Sequence, residues 1–475
     1  MKKRIVKSMI VSCFILTFVL LLHPGAWAQS PSASATPPWT WNTFLGGAQW
    51  DDGYAVAADA AGNIYVAGMS RGSWGAPKRP YKGQEDAFVA KLNSSGHLVW
   101  NTFLGSTTGE DEAYAIAVDD QGNVVVAGAS TDSWGRPIAA HSEESHDVFV
   151  ARLNANGVLT WNTFMGGGGI DRGYGVALDQ WNNAYVTGES YSSWGNPVNP
   201  PSSNLLNQEV FVAKLNVHGV RQWNTFMGEK NSEDYARGIT FESGWAYVTG
   251  FSKQSWGAPK RPHSGDWYGD AFVARVNGGN GVRGWNTFLG GPGVDEGSGI
   301  AARSGQIYVT GYSYKTWGAP VAPFPGNSEN AFAAHLRSDG VLVWNTFMGG
   351  GNWDDDRGYA IAAGANGKVY VTGKSADSWG SPTHPHQNDW DAFLAALNSD
   401  GSRAWNTFIG GDSGDYGFAV TTAGNNVIVA GESFVAYGDW GAPIRPGSGQ
   451  WDAFAVKFYT GPPLTKHLHM PLVLH

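Results

Sequence analysis

The sequence predicts an all-β fold: a seven-bladed β-propeller with four antiparallel strands per blade and an N-terminal strand completing the last blade. Three observations predict it. Trp-Asn-Thr-Phe recurs at Trp41, Trp100, Trp161, Trp223, Trp285, Trp344 and Trp405, at spacings of 59, 61, 62, 62, 59 and 61 residues. Each period carries a four-strand pattern. The two ends of the repeat region are complementary. A fixed period of this length marks one supersecondary unit copied around an axis or along a stack.

The second unit shows the pattern. Tyr114–Val118 alternates and runs into the turn cluster Asp119-Asp120-Gln121-Gly122-Asn123, and Val124–Ala127 follows as the second strand of a hairpin. A longer stretch containing Trp134, Gly135 and Pro137 leads to a third strand, Val148–Leu153. Asn154-Ala155-Asn156-Gly157 is a turn of residues that tolerate left-handed backbone, and Val158–Phe164 is the fourth strand. No useful helical periodicity occurs after the N-terminal segment. Four short strands per period, seven times over, fit a propeller. The first strand is rich in small residues (Ala55-Val56-Ala57, Gly175-Val176-Ala177), which suits the crowded axis, whereas the wide Trp and Phe lie on the fourth strand.

The ends predict how the ring closes. The repeat region opens with a fourth-strand sequence, Trp41–Phe44, and finishes with a third-strand sequence, Asp452–Lys457. Joining them completes seven blades and hides an open sheet edge. A linear solenoid would need polar caps instead.

Residues 1–28 read as a secretory signal peptide: basic Lys2, Lys3 and Arg4, an apolar core from Met9 to Leu22, then Ala26-Trp27-Ala28 as the cleavage site. Residues 29–38 read as a linker, 39–460 as the propeller and 461–475 as a tail too short to span a membrane. The single cysteine, Cys13, falls in the signal, so the exported chain has no disulfide or thiolate site. A net charge of −9 without a basic run argues against nucleic-acid binding. The expectation is a secreted or cell-surface monomer with no membrane span after cleavage.

Three recurrent sets are candidates for a ligand-binding face. The first is Trp74, Trp134, Trp194, Trp256, Trp317, Trp379 and Trp440, each followed by Gly-x-Pro. Seven indoles offer flat platforms with one N–H each for sugar rings; equally, they serve as packing between blades, the commoner use of a repeated Trp. The second is Asp51, Asp111, Asp171, Asp234, Asp295, Asp356 and Asp415, just before each inner strand. It reads as a carboxylate ring at the axial mouth, with calcium or polyol hydroxyls as ligands, or as local hydrogen bonding that closes each loop. The residue after each Asp varies (Asp52, Glu112, Arg172, Tyr235, Glu296, Arg357, Tyr416), so in a ring of seven identical sites that neighbour is not a shared ligand. The third set is the Ser of Gly-x-Ser (Ser70, Ser130, Ser190 and equivalents), which lacks the context of a nucleophile elbow. The acidic or amide residue before Ala-Phe or Val-Phe (Asp86, Asp147 and equivalents) reads as the start of strand three. His384-Pro385-His386 is a weak metal hint in a variable loop, the kind of place where a single asymmetric site would lie.

These units resemble the bacterial seven-bladed β-propeller repeat family, the SBBP repeats. The matching residues are Trp-Asn-Thr-Phe-Leu-Gly-Gly, Asp51-Asp52-Gly53-Tyr54, Gly62–Gly68 and Asp86–Asn93, recurring across 39–460. The resemblance implies a secreted or cell-surface bacterial scaffold and no catalytic residues. The Trp-Gly-x-Pro insertion departs from the family pattern. The expected function is non-catalytic binding, of a glycan through the repeated Trp and Asp residues, with no resident cofactor unless calcium. A protein-interaction or adhesion scaffold is the alternative. A polysaccharide-active enzyme with an axial carboxylate pair is the third reading, although no HExxH, P-loop or triad is present.

Overall fold

The computed structural model describes residues 38–142, 145–201, 207–326, 328–351, 355–387, 389–434, 440–448 and 450–461. The predicted signal (1–28), nearly all of the linker and nearly all of the tail lie outside the described residues. Every described element is a β-strand. The strands form seven separate four-stranded antiparallel sheets. The first blade runs Asp51–Ala58, Ile64–Ser70, Asp86–Leu92 and Leu98–Leu104, in that spatial order from the axis outward.

The innermost strands of successive blades touch, and the last, Asp415–Ala423, meets the first, Asp51–Ala58, so the blades form a closed ring. The final blade takes its outer strand from the N-terminal end of the repeat region: Trp41–Leu45 pairs with Trp451–Tyr459, with Trp41 opposite Lys457 and Phe44 opposite Phe454. The closure predicted from the complementary ends is the one observed. The sequence reads as two long connections per blade, strand two to three and strand four to the next blade, and the structure changes this. The strand-two-to-three connection is long (residues 71–85 in the first blade), whereas the connection from strand four to the next blade is short, residues 105–110. Only one long loop per blade therefore shapes the face.

Apolar residues are buried in seven inter-blade wedges. Each wedge combines side chains of two neighbours: Ala55, Tyr65 and Val89 of the first blade pack with Ala113, Ile116 and Phe149 of the second. A four-stranded sheet presents two apolar faces, and only another blade on each side removes both from water. The fourth-strand Trp completes the wedge. Trp100 lies against the next blade's turn, and its indole N–H donates to the Ala155 carbonyl at 3.1 Å. A Cβ on Gly157 would fall 2.7 Å from that indole, and Gly157 also holds a φ of +78°, so glycine is required twice over.

Each inner strand carries one bulge, for example between Gly53 and Ala55 and between Gly173 and Gly175. The extra residue breaks pairing and turns its side chain toward the axis. These residues are Tyr54, Tyr114 and Tyr174 in the first three blades, Arg237 in the fourth, Ser298 in the fifth, and Tyr359 and Phe418 in the last two. Neighbouring rings meet around the axis: Tyr54–Tyr114 at 5.7 Å, Tyr114–Tyr174 at 5.1 Å, Tyr359–Phe418 at 5.4 Å and Phe418–Tyr54 at 5.7 Å.

Removing the N-terminal outer strand tests the closure. A chain beginning at Trp39 should keep its full thermal midpoint. One beginning at Gly46 loses the burial of Phe44 and Leu45, about 1.5–3 kcal/mol each, and exposes an unpaired edge. It should unfold earlier and aggregate; equal midpoints for the two chains would show that the ring closes without this strand.

Candidate interaction face

The three recurrent residue sets converge on one buried cluster, built seven times. The inner-strand Asp sits opposite the Ser that ends strand two, as Asp51 does Ser70 and Asp111 does Ser130. In six blades that Ser hydroxyl donates to the Asp Oδ1, at 2.5 Å for Ser130 and Asp111. In all seven blades the Asp Oδ2 accepts a backbone N–H from the loop entering the blade, at 2.7–3.0 Å. In blades three, four and six the Trp four residues after the Ser joins the cluster: Trp194 Nε1 lies 3.2 Å from Asp171 Oδ1 and 3.1 Å from Ser190 Oγ, and Trp256 and Trp379 donate to Ser252 and Ser375 Oγ at 3.0 Å.

These contacts relocate the predicted ligand-binding residues. Asp51, Asp111, Asp171, Asp234, Asp295, Asp356 and Asp415 are at most 1% exposed and do not line the axial mouth. In six blades both oxygens are taken by N–H and O–H donors, and in the seventh Asp415 Oδ2 accepts the Gly411 N–H, so the column closes loops and is buried away from calcium or a polyol. Trp74, Trp134, Trp194, Trp256, Trp317, Trp379 and Trp440 are 2–6% exposed. Each packs on the strand-three Phe, with centroids 4.9–5.4 Å apart, and on the Phe of Trp-Asn-Thr-Phe at 5.1–5.9 Å. Their outer faces are covered too. Six carry a guanidinium at 5.2–5.6 Å, and Trp440 carries Trp39 at 6.0 Å. No ring face is left for a sugar, and the packing alternative is the one the structure adopts.

The same geometry explains the rest of the motif. The Asn of Trp-Asn-Thr-Phe donates to the carbonyl of the loop Trp in every blade, at 2.7–2.9 Å. The Gly after the loop Trp adopts a positive φ, +72° at Gly135, where a Cβ would meet the Asn162 side chain at 2.7 Å. The strand-three acids accept loop N–H groups as expected, Asp86 from Lys82 and Asp147 from Ser142, both at 2.7 Å. The His-x-His pair is absorbed into packing: His384 lies 5.4 Å from Trp39, and His386 Nε2 lies 3.1 Å from the Ser375 carbonyl. Among the described residues no three His, Cys, Asp or Glu side chains converge on a common point.

The residues that differ between blades do reach the axial mouth. Across blades three to six, acids and bases pair: Arg172 with Glu189 at 2.9 Å, Arg237 with Glu296 at 3.3 Å, and Arg357 with Glu329. Tyr235 and Tyr312 both donate to Glu296, at 2.9 and 2.8 Å. Blades seven, one and two also bring acid against acid, Glu432 beside Asp52 and Glu112 beside Glu85, although Glu85 pairs with Arg71 at 3.0 Å. Burial and the neighbouring Asp52 push the Glu432 carboxyl up to about 10. Burial and Glu85 push Glu112 up to about 8. The mouth therefore has an arc of ion pairs and an arc in which burial and neighbouring acids push Glu432 and Glu112 up. The sequence signal for it was the variable residue after each constant Asp.

A second asymmetry lies on the rim. The loop Gly265-Asp266-Trp267-Tyr268-Gly269 of the fourth blade leaves Trp267 88% and Tyr268 61% exposed. Between this loop and the fifth blade lies a cleft of about 1140 Å³ lined by Tyr268, Pro292, Val294, Tyr314, Pro323 and Phe324, among others. Sequence reading missed it because the two residues stand outside the repeat, and the absence of a counterpart in other blades was the only signal.

No family model matches the chain. It is 27% identical over 229 residues to an uncharacterized WD repeat-containing protein, L264, of Acanthamoeba polyphaga mimivirus, covering 40% of this chain and 16% of that protein. It is 25% identical over 363 residues to the regulatory protein FlaEY of Caulobacter vibrioides, covering 71% of this chain and 37% of that protein. The chain thus spans well under half the length of either relative. Among solved structures, Kuenenia stuttgartiensis hydrazine synthase aligns at a TM-score of 0.48 and 10% identity, covering 82% of this chain and 94% of that one. The WD40 domain of Neurospora crassa Pan2 aligns at 0.45 and 8%, covering 91% and 98%.

Two predictions follow from the buried clusters. Trp194→Ala should cost about 3–5 kcal/mol, read as a lower denaturation midpoint, because the cavity lies between Phe211 and Phe226. A cost near zero would mean that the indole is not a packing element. Burial also raises Asp51, Asp111, Asp171 and Asp234 to about 7 and Asp295 to about 8, against an ordinary 3.8. A carboxyl raised on folding keeps its proton longer in the native state, so its contribution is complete below the unfolded pKa and is lost as pH rises through the folded one. The thermal midpoint should fall between about pH 5 and about pH 9; a midpoint that climbs over that range would show these carboxyls ionised in the fold.

Proposed function

We propose that the protein is a non-catalytic interaction scaffold that binds a protein partner on its long-loop face. The observation that carries this reading is the apolar cleft between blades four and five. The repeated polar and aromatic residues are consumed in packing, and the cleft is a concave, aromatic, solvent-open surface outside that repeat. Such clefts, with Tyr and Trp at the edge, have the composition of binding hot spots. A WD-repeat relative over part of the chain supports the same reading. The basic, apolar and Ala-x-Ala pattern of residues 1–28 supports export, and the resemblance to bacterial propeller repeats supports a surface or secreted setting.

Tyr268→Ala is the test. Partners cross-linked to the exported protein on the producing cells are identified, and their affinity for the purified propeller is measured. Tyr268→Ala should weaken binding by about 2 kcal/mol, roughly thirtyfold, at an unchanged thermal midpoint, since the side chain is 61% exposed. Val343→Ala, on an outer strand, should leave affinity unchanged. Equal binding by wild type and Tyr268→Ala would remove the cleft from the interface.

A further inference from the structure

The other side of the same loop has different chemistry. Trp267 faces a second cleft, of about 480 Å³, lined by Asn207, Asn231, Glu233, Lys253, Gln254, Gly265 and Asp266. No proline or aliphatic side chain lines it. Among the described residues the side-chain amides of Asn207, Asn231 and Gln254 make no hydrogen bond, so three donor–acceptor groups stand open beside an indole that is 88% exposed. Lys253 and Glu233 pair at 3.4 Å, leaving the cleft wall with no net charge from that pair.

The platform is fixed in place. Asp266 Oδ2 accepts the Gly293 N–H of the fifth blade at 2.7 Å, and its Oδ1 accepts the Tyr268 N–H at 3.1 Å. Ser264 donates to the same Oδ1 at 3.3 Å and to Asp270 at 2.7 Å. The loop is thereby tied to its own blade and to the next, and Trp267 is held out from the surface by hydrogen bonds at its base. A large apolar ring kept in water by a braced loop has no folding role, because burying it would be favourable and the fold does not do so.

We propose that Trp267 and the polar cleft beside it form a single binding site for a neutral, pyranose-containing oligosaccharide. The C–H face of a sugar ring stacks on the indole, and the ring hydroxyls exchange water for the amides of Asn207, Asn231 and Gln254. Each amide supplies both a donor and an acceptor, matching the hydroxyl, which is both. An apolar peptide side chain would leave these amides unpaired, whereas the cleft on the Tyr268 side suits it. The propeller would carry one sugar site, placed by the loop that holds Trp267 out in water.

The test is calorimetric titration of the purified protein with neutral cello-, chito- and malto-oligosaccharides. One series should bind at a stoichiometry of one. Trp267→Ala should weaken it by at least about tenfold, and Trp267→Phe should restore part of the loss, at an unchanged thermal midpoint. Tyr268→Ala should leave sugar binding unchanged, which separates this site from the protein-binding cleft. No heat from any of the three series would overturn the proposal. So would a stoichiometry near seven, or equal loss in Trp267→Ala and Tyr268→Ala.

Discussion

The structure depends on one buried carboxylate per blade. The inner-strand Asp accepts a Ser hydroxyl from strand two and an N–H from the incoming loop, and in the third blade it also lies 3.2 Å from the indole N–H of the long loop. That residue thus ties two strands and two connections. The Asn of Trp-Asn-Thr-Phe then fixes the Trp carbonyl from the outer strand, so the cluster spans a blade from axis to rim. A carboxyl group at 0–1% exposure is expensive to bury, and its donors offset the cost. The alternative for those loops would be unsatisfied N–H groups under packed indoles, which is worse.

Repetition of this cluster decides where function can lie. A ring closes only if every blade occupies nearly the same angle, so the residues that set blade shape have to be nearly identical. Those residues are the Asp, Ser, Trp, Asn and Phe of the repeat, and all of them are covered. Half of the guanidinium covers come from a neighbouring blade, as Arg79 of the first blade lies 5.4 Å over Trp134 of the second and Arg445 lies 5.6 Å over Trp74 across the closure, and half from the outer strand of the same blade, as Arg221 lies 5.4 Å over Trp194. What remains free to vary is the bulge residue, the residue after the constant Asp, and the distal part of the long loop. The axial arc where acids crowd together and the Trp267–Tyr268 loop belong to that remainder.

The axis shows how small changes in such positions produce asymmetry. Arg237 replaces an aromatic bulge residue and lies 4.4 Å over Tyr174 and 4.5 Å over Tyr235 while pairing with Glu296. In the next blade Ser298 occupies the same position with a far smaller side chain. On the opposite side Asp52 and Glu432 meet without a salt-bridging cation among the described residues, so burial and the neighbouring Asp52 push the Glu432 carboxyl up. A ring with uniform backbone geometry is therefore electrostatically one-sided.

The sequence by itself determined the fold, the blade number and the closure. Those follow from periods visible along the chain: strand alternation, turn residues, a near-constant motif spacing, and a fourth-strand sequence at one end matching a missing strand at the other. It also determined that Asp86 and its equivalents start strand three, because that hydrogen bonding is local. Only the tertiary structure decided the fate of the repeated Trp and Asp. Whether an indole faces water depends on groups far away in sequence, such as Arg445 over Trp74, and no spacing rule reports them. The same holds for the two clefts. Trp267 and Tyr268 are ordinary loop aromatics in a linear reading; the hydrogen bond of Asp266 to the next blade and the walls supplied by three blades make them the edges of two clefts.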